Sequence, residues 1–434
     1  MQTTEFGKLD RQVRQLLSRR QSELQSMLNT DSAVAVDRDN GTPLVNSSED
    51  DARHEHVIGR TGTGKTTYLV QRTIRDSLLE LPGWQFVIDP MGSLVQVLIL
   101  FFASIFCPKH IRDRVRIIRP RNGEIVCPID SLCHNGDLAE QWNGIQATVE
   151  SMQSTTGQYN AAQTPRLTRI LQNLFQSSVH AGISTAESVH LLLPSDYQQA
   201  ILNRSPALLR AQWDAILNSK SGRSLELLDS TLNRMVPLHE NPNLRRTFSS
   251  LRGGIDIENC RDQNQIVLVD LSTGSTFSLS DARIFGQLLV NKVLRDIRAN
   301  PDPVRPVRAT FDEFQEFATT PEMQMFLAIG RQLGIRFCLS HQSFSQLQHG
   351  DMDLTPMVFQ CQKRVVFGLS SEDAEIMARE FATGNFDEYT VKQEIFHTQQ
   401  RHVDDDIIPL LNGSRSTSRS KQRSRTSGYN SSSQ

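Results

Sequence analysis

HVIGRTGTGKTTYL, residues 56–69, contains the most informative pattern in this chain. A short apolar run precedes G-x-x-x-x-G-K-T, and a stretch with helical periodicity follows it. In that context, glycines allow backbone N–H groups to close around phosphate oxygens at the start of a helix. The sequence therefore predicts a nucleoside triphosphate site formed by Gly59, Arg60, Thr61, Gly62, Thr63, Gly64, Lys65, Thr66 and Thr67.

Two residues at the end of this loop have specific predicted roles. The Lys65 ammonium places a point charge on the β- and γ-phosphates, and the Thr66 hydroxyl is an expected Mg²⁺ ligand. ATP and Mg²⁺ are therefore the predicted cofactors.

Composition places the chain among ordinary soluble globular proteins. Of its 434 residues, 38% are hydrophobic and 22% charged, with a formal net charge of −2. No global positive field indicates a nucleic-acid partner, so any such contact must be local. The six cysteines form no C-x-x-C pair, which favours free thiols over a disulfide framework or a zinc site.

The order of apolar runs predicts an α/β fold with a mostly parallel central sheet. Short runs rich in Val and Ile alternate with amphipathic stretches, as in β-α units. The predicted strands are residues 57–58, 85–89, 114–118, 265–271, 307–312, 335–340 and 364–369.

Between the third and fourth of these runs the strand signal disappears, which predicts an inserted all-helical domain. The α/β ATPase domain then comprises residues 51–140 and 256–400, and the insertion residues 141–255. Residues 1–50 are polar with one amphipathic helix, and residues 412–434 read as a disordered Ser/Arg-rich tail.

The most apolar stretch is residues 94–107. A bilayer-spanning helix needs about 20 apolar residues, so this stretch predicts a buried helix instead. We expect no direct membrane span.

A pair of adjacent carboxylates follows one predicted strand, in VRATFDEFQEFA, residues 307–318. Asp312 at the strand end suits indirect coordination of Mg²⁺, and Glu313 suits the base that polarises the attacking water. The alternative is an ordinary acidic helix start. An Asp-Glu pair favours ATP hydrolysis, because a GTPase would need N-K-x-D and the NKVL segment at 291–294 lacks its Asp.

Two further residues complete the predicted site. Gln342 follows the strand predicted at 335–340, where a side chain can contact the γ-phosphate and act as a sensor. Arg331 lies near a helix end, where it can project into a neighbouring subunit's site as a finger. Taken singly, each has a simpler explanation: a helix-capping glutamine and a solvated arginine.

With these motifs in place, the sequence resembles the HerA–FtsK superfamily of P-loop motors, specifically type IV secretion coupling proteins of the TraG/TraD kind and their HerA-like relatives. Met91 and Ser93 stand where the family's Asp-Pro-His-Gly-Asp turn has His and Asp. The stretches that carry the resemblance are residues 56–67, 87–94, 265–274, 310–319 and 330–347.

The resemblance implies a RecA-like ATPase that forms a homo-oligomeric ring, usually a hexamer, and moves DNA or a DNA–protein conjugate. It assigns phosphate and Mg²⁺ binding to Lys65 and Thr66, and the Walker B pair to Asp312 and Glu313. Secretion-channel components and a relaxase are the implied partners. By the same carry-over, Arg331 is the finger that acts in trans and Gln342 the sensor.

Three functional hypotheses follow. The first is an ATP-driven DNA translocase of the conjugative type, cytoplasmic and peripheral to the inner membrane through partners. The second is a soluble HerA-like motor that processes DNA beside a nuclease. The third is a nucleotide-gated adaptor that binds a secretion substrate with little turnover.

Overall fold

The computed structural model describes most of the chain between residues 52 and 382. The chain divides into two compact units, residues 1–370 and 371–434. The predicted N-terminal amphipathic helix and the Ser/Arg-rich segment 412–434 lie outside the described residues. Those residues are 33–36, 43–45, 52–122, 127–154, 165–218, 222–274, 276–317, 321–349 and 352–382.

Strands in the first unit form two short antiparallel hairpins, β1–β2 and β9–β10, and one seven-stranded sheet. The strands are β1 (Ala33–Val36), β2 (Pro43–Val45), β3 (Glu55–Ile58), β4 (Trp84–Asp89), β5 (Val115–Ile118), β6 (Ile266–Asp270), β7 (Val307–Phe311), β8 (Ile335–His341), β9 (Gln348–His349), β10 (Met352–Asp353) and β11 (Lys363–Val366).

The seven-stranded sheet has the order β11-β3-β8-β7-β4-β6-β5, and every neighbouring pair is parallel. All seven strands therefore end on one side, the carboxyl edge, and begin on the other, the start edge. Each predicted strand is present, so the predicted α/β fold with a parallel central sheet is confirmed.

Burial explains why these runs are so continuously apolar. Every residue of β3, β4, β6 and β7 is buried, whereas the outermost strands β5 and β11 are mostly half-buried. Helices cover both faces of such a sheet, so no face of a central strand is left for water.

Helices make up most of the remaining described structure. They are α1 (Lys65–Leu78), α2 (Ser93–Ala103), α3 (Lys109–Arg112), α4 (Leu138–Ser154), α5 (Pro165–Ala181), α6 (Asp196–Arg204), α7 (Ala207–Leu217), α8 (Gly222–Glu240), α9 (Pro242–Phe248), α10 (Ile257–Asp262), α11 (Leu279–Ala299), α12 (Pro321–Leu333), α13 (Thr355–Phe359) and, in the second unit, α14 (Ser371–Ala382).

Helices α4 to α9 occupy the region of the predicted insertion. Helix α5 packs against α4, α6, α7 and α8. Helix α4 packs against α11, where the Asn291 side-chain amide donates to the Ser151 hydroxyl at 2.6 Å. The proposed division into an ATPase domain and an inserted helical domain stays a prediction.

The predicted buried helix is right in its secondary structure and wrong in its burial. Helix α2 buries Leu94, Leu98 and Phe102 against the sheet, but Leu100 is 66% exposed and Ile105, just after the helix, 89% exposed. Hydropathy reports composition, whereas a helix packed on a sheet buries only one face. Across the described ranges, no helix is both long and apolar enough to cross a bilayer.

One hydrophobic core lies between the central sheet and helices α1 and α2. It is built from branched and aromatic side chains of β3, β4, β6 and both helices, among them Val57, Leu69, Val87, Leu98 and Leu268. All six cysteines are free thiols, as predicted. This packing fixes the strand ends from which the candidate site is built.

Candidate nucleotide site

The glycine-rich loop joins the end of β3 to the start of α1. Gly62 and Gly64 have φ angles of +80° and +112°, a conformation that side chains rarely adopt. Helix α1 begins at Lys65. Its first turn holds no acidic residue, so no side-chain carboxylate there would repel a bound anion. The loop therefore presents backbone N–H groups and a helix N-terminus, as the sequence predicted.

The backbone that follows β11 supports this loop from the side. Phe367 N–H donates to the Ile58 carbonyl at 2.8 Å, and Arg60 N–H donates to the Gly368 carbonyl at 2.9 Å. A Cβ on Gly59 would lie 2.5 Å from the Phe367 Cβ, so only glycine fits there. The edge strand thus defines one wall of the loop.

The carboxylate pair lies opposite Lys65. Lys65 Nζ is 3.9 Å from Glu313 Oε1, and both side chains are largely buried. The loop and the Asp-Glu motif are far apart in sequence, and the order β3-β8-β7 brings them to the same edge.

Asp312 is held at the end of β7 by hydrogen bonds from neutral groups. Its Oδ1 accepts from the Ser340 hydroxyl at 3.0 Å and from the Glu313 N–H at 3.2 Å. Burial, followed by the charges of Asp89 and Glu313, raises the pKa of Asp312 to about 6. The carboxylates of Asp89 and Glu313 therefore disfavour ionisation of Asp312.

Asp89 is a third carboxylate at this edge. It is fully buried at the end of β4, where its carboxylate accepts from the Met91 N–H at 2.8 Å and the Val95 N–H at 3.1 Å. Burial raises the pKa of Asp89. The carboxylate orders the turn into α2. Asp89 was not among the predicted site residues, although it is the last residue of a predicted strand.

Glu313 is held in an unusual backbone conformation. Its φ and ψ angles are +46° and +53°, the left-handed region that favours glycine. Its Oε1 accepts from Gln342 Nε2 at 2.7 Å, and its Oε2 accepts from Gln315 Nε2 at 2.8 Å. Gln315 was missed from sequence, because nothing in its position reveals which group its amide contacts.

Gln342 links the carboxylate pair to the glycine-rich loop. Its Oε1 accepts from the Thr61 hydroxyl at 2.9 Å while its Nε2 binds Glu313. A cavity of about 460 Å³ opens beside it, lined by Arg60, Thr61, Thr63, Gln342, Ser343 and Gln346. The predicted sensor therefore contacts both parts of the site.

A buried histidine pair supports the strand ends under this bridge. The rings of His56 and His341 stack with centroids 4.9 Å apart, and their Nε2 atoms are 2.7 Å apart. His341 Nδ1 lies 3.0 Å from the Ser343 carbonyl, which only accepts, so His341 donates there and accepts from His56. Burial lowers the pKa of His56 well below its usual value, which favours the neutral form of that ring.

The remaining predicted residues lie in two places. Thr66 is half-buried in the first turn of α1, and Thr67 beside it is exposed. Arg331 is exposed near the end of α12, beside a cavity of about 470 Å³ at the start edge. The seven residues of β8 separate it from Gln342, roughly 20 Å at about 3.3 Å per residue. Arg331 is therefore not part of the site that its own chain forms.

Comparison with known protein families gives a match to the later part of the chain. Residues 306–431 match a model described as the TraM recognition site of TraD and TraG. This range includes Asp312, Glu313, Gln315, Arg331 and Gln342. The resemblance to proteins of the TraG/TraD kind is thereby confirmed. Comparison with curated proteins gives no match.

Solved structures with a similar fold include the bacterial conjugative coupling protein TrwB. Its unbound monoclinic form gives a TM-score of 0.50 at 16% identity, covering 76% of this chain and 70% of that chain. Its trigonal form in complex with sulphate gives 0.52 at 17%, covering 80% and 77%. VirB4 of Thermoanaerobacter pseudethanolicus gives 0.49 at 13%, covering 81% and 87%. The TrwB matches confirm the RecA-like fold.

Proposed function

We propose that this chain is an ATPase that assembles as a homo-oligomeric ring, a hexamer by resemblance, and translocates DNA or a DNA–protein conjugate for a type IV secretion apparatus. The observation that carries the proposal is the approach of Lys65 Nζ to Glu313 Oε1, 3.9 Å apart, with Asp312 beside them. A phosphate-binding loop and a base at this separation suit attack of water on a terminal phosphate.

In this proposal the loop binds the triphosphate of ATP. Backbone N–H groups of Gly62, Gly64, Lys65 and Thr66, at the start of α1, would bind the phosphates, and the Lys65 ammonium would contact the β- and γ-phosphates. Thr67, the next residue along, is exposed and is proposed to contact the α-phosphate.

Thr66 and Asp312 are the residues that would hold Mg²⁺. The raised pKa of Asp312 supports this assignment, because a divalent cation would offset the repulsion from Asp89 and Glu313. Bound Mg²⁺ supplies neutralisation of charge on the β- and γ-phosphate oxygens.

Glu313 accepts a proton from the attacking water in the proposed reaction. Its carboxylate is buried, and amides hold both of its oxygens. Gln342 lies between that carboxylate and Thr61 of the loop, so a γ-phosphate beside Thr61 would compete for the Gln342 amide. This competition is the proposed sensing step.

The position of Arg331 supports the proposed ring. An exposed arginine at the start edge is too far from the site of its own chain to contact a γ-phosphate there. In a ring, the start edge of one subunit can face the carboxyl edge of the next, where Arg331 would neutralise transition-state charge.

The proposed partners and location rest on the family match. The matched model is named for TraM recognition by TraD and TraG, which supports a role beside conjugation proteins such as a relaxase and channel components. We place the protein in the cytoplasm, peripheral to the inner membrane through those partners. With a net charge of −2, the DNA contact would draw on local basic surfaces.

ATP hydrolysis by the full chain with and without nucleic acid tests the proposal. We expect single- or double-stranded DNA to increase phosphate release, and Glu313→Gln to bind ATP without turnover. Binding of ATP without any stimulation by DNA would contradict the translocase and favour the adaptor. Recovery in a membrane fraction only with other secretion components would separate the coupling protein from a soluble HerA-like motor.

A further inference from the structure

Gln315 occupies a place in the site that packing alone does not explain. It lies in the short 3-10 turn Phe314–Glu316, directly after the carboxylate pair, and is only 4% exposed. Its side-chain nitrogen donates to Glu313 Oε2 at 2.8 Å.

The turn that carries Gln315 is rigid. Phe314 and Phe317 on either side are buried, and the Phe314 ring packs edge-on against His341 with centroids 5.7 Å apart. A Cβ on Gly286 of α11 would lie 2.3 Å from the Phe317 ring, so helix and turn are in close contact. The backbone of Gln315 therefore has little freedom to move when the site changes.

The oxygen of the Gln315 side-chain amide accepts no hydrogen bond. Its Oε1 is buried and has no hydrogen-bond partner. A buried acceptor without a partner costs stability, so a residue that only filled this space would better be apolar. The one hydrogen bond that the polar end of this side chain makes is from its nitrogen, which holds one oxygen of Glu313.

The two amides that hold Glu313 differ in what else they contact. Gln342 also accepts from the Thr61 hydroxyl, so its contact depends on the state of the loop. Gln315 belongs to the same turn as Glu313 and has no such link. When the Gln342 amide is drawn away, Gln315 remains as the group that holds the carboxylate.

We infer that Gln315 is a positioning residue, which holds the Glu313 carboxylate in its reactive orientation through the Nε2–Oε2 hydrogen bond. The inference rests on the proposed ATPase function. Gln315 does not contact the phosphates; it acts through Glu313. The left-handed backbone of Glu313 makes such support necessary, because that conformation is not held by local preference.

Gln315→Met in the full-length protein tests the inference, because methionine keeps the approximate volume and removes the amide. We expect kcat for ATP to fall about tenfold with KM changed by less than about twofold, since positioning acts on the reacting state and not on ATP binding. Thermal stability should stay equal or rise, because the variant also removes the unpartnered acceptor. Gln315→Glu should lose at least as much turnover, because it places a second carboxylate against Glu313.

Gln85→Met is the matched control. Gln85 is also buried in the sheet domain and also donates one amide hydrogen bond, to the Ser77 hydroxyl at 2.8 Å, but at the start edge. Its kcat should equal that of wild type. A wild-type kcat in Gln315→Met, or a raised KM with kcat unchanged, would overturn the inference while wild-type turnover and its loss in Glu313→Gln leave the proposed function standing.

Crystal structures of the same variants test the inference without turnover. In Gln315→Met we expect the Glu313 side chain to leave the rotamer that it has in wild type, and in Gln85→Met to keep it. An unmoved Glu313 in Gln315→Met would overturn the positioning role even if the wild-type protein did not hydrolyse ATP.

Discussion

Buried carboxylates at the two edges of the sheet have different partners. At the start edge, Glu55 of β3 is bound by Arg72 at 2.8 Å and lies 3.5 Å from Lys363. At the carboxyl edge, Asp89 and Asp312 accept hydrogen bonds from backbone N–H groups and a hydroxyl, which are neutral donors. Charge is thus compensated at the start of β3, whereas Asp89 and Asp312 at the ends of β4 and β7 have no arginine or lysine among these hydrogen-bond donors.

Within one sheet, the charges at the start edge serve stability, and those at the carboxyl edge belong to the candidate site. Paired ions at the start edge hold strands and helix α1 together, whereas the acids clustered at the carboxyl edge repel one another, and in the proposed function Mg²⁺ would offset that repulsion. The group of carboxylates without a cationic partner at the carboxyl edge does not extend to β6, the strand next to β4. There, Asp270 is bound by Arg119 Nε at 2.8 Å.

Lys65→Ala is expected to have the largest effect. It removes the cation that faces the phosphates at the carboxyl edge, so ATP binding and hydrolysis should both fall below detection in fluorescent-nucleotide binding and phosphate-release assays. Lys109→Ala, an exposed lysine in α3, should behave as wild type. Unchanged ATP affinity in Lys65→Ala would contradict the phosphate-binding role.

Arg331→Ala tests whether the start edge of one copy serves the carboxyl edge of another. Hydrolysis should fall about 1,000-fold with ATP binding retained, the usual scale for loss of an arginine finger. Mixing it with Glu313→Gln should restore part of the activity, because mixed interfaces can take each group from a different subunit. Gln332→Ala is the neighbouring control, and no recovery at any ratio would count against a finger in trans.

Glu55→Gln tests the compensated edge. Removing one partner of a buried ionic cluster leaves charge unpaired, so the free energy of unfolding should fall by about 3 kcal/mol in urea titrations. Glu80→Gln, at an exposed carboxylate beside His110, should change it by less than about 0.5 kcal/mol. Equal effects of the two variants would remove the distinction between the edges.

Asp312→Asn should have the smallest effect and the opposite sign. Without nucleotide and with EDTA, it should raise the free energy of unfolding at pH 8 by about 2 kcal/mol, because an ionised carboxylate is lost from a repulsive cluster. The folded pKa of about 6 exceeds the ordinary 3.8, so this group's stabilising contribution exists below pH 3.8 and disappears as pH rises through 6. The variant should lack that decline; a parallel decline would contradict the repulsion.

The sequence predicted those features that depend on short stretches of residues, namely the strands and the motifs at their ends. Seven apolar runs became seven strands because a sheet covered on both faces excludes polar residues. The parallel direction of the strands then brought the loop, the Asp-Glu pair and Gln342 to one edge. Both the fold and the central residues of the candidate site follow from these patterns.

What the sequence did not predict depends on side-chain placement in three dimensions. In the sequence, Gln315 is one polar residue in an acidic segment. In the structure, its amide donates to the carboxylate of Glu313, a residue with a left-handed backbone. Similarly, the exposed face of α2 is as apolar as its buried face, so hydropathy cannot tell them apart. Both features are decided by which neighbours happen to pack nearby.

The hydrogen bonds between the loop and the segment after β11 have a mechanical consequence. Gly368, whose carbonyl binds the Arg60 N–H, lies only a few residues before the second compact unit begins at Ser371. A partner that grips the chain beyond that point and pulls would load two backbone hydrogen bonds on the wall of the glycine-rich loop. Tension on the C-terminal segment would thereby become strain in the loop that is proposed to bind a triphosphate.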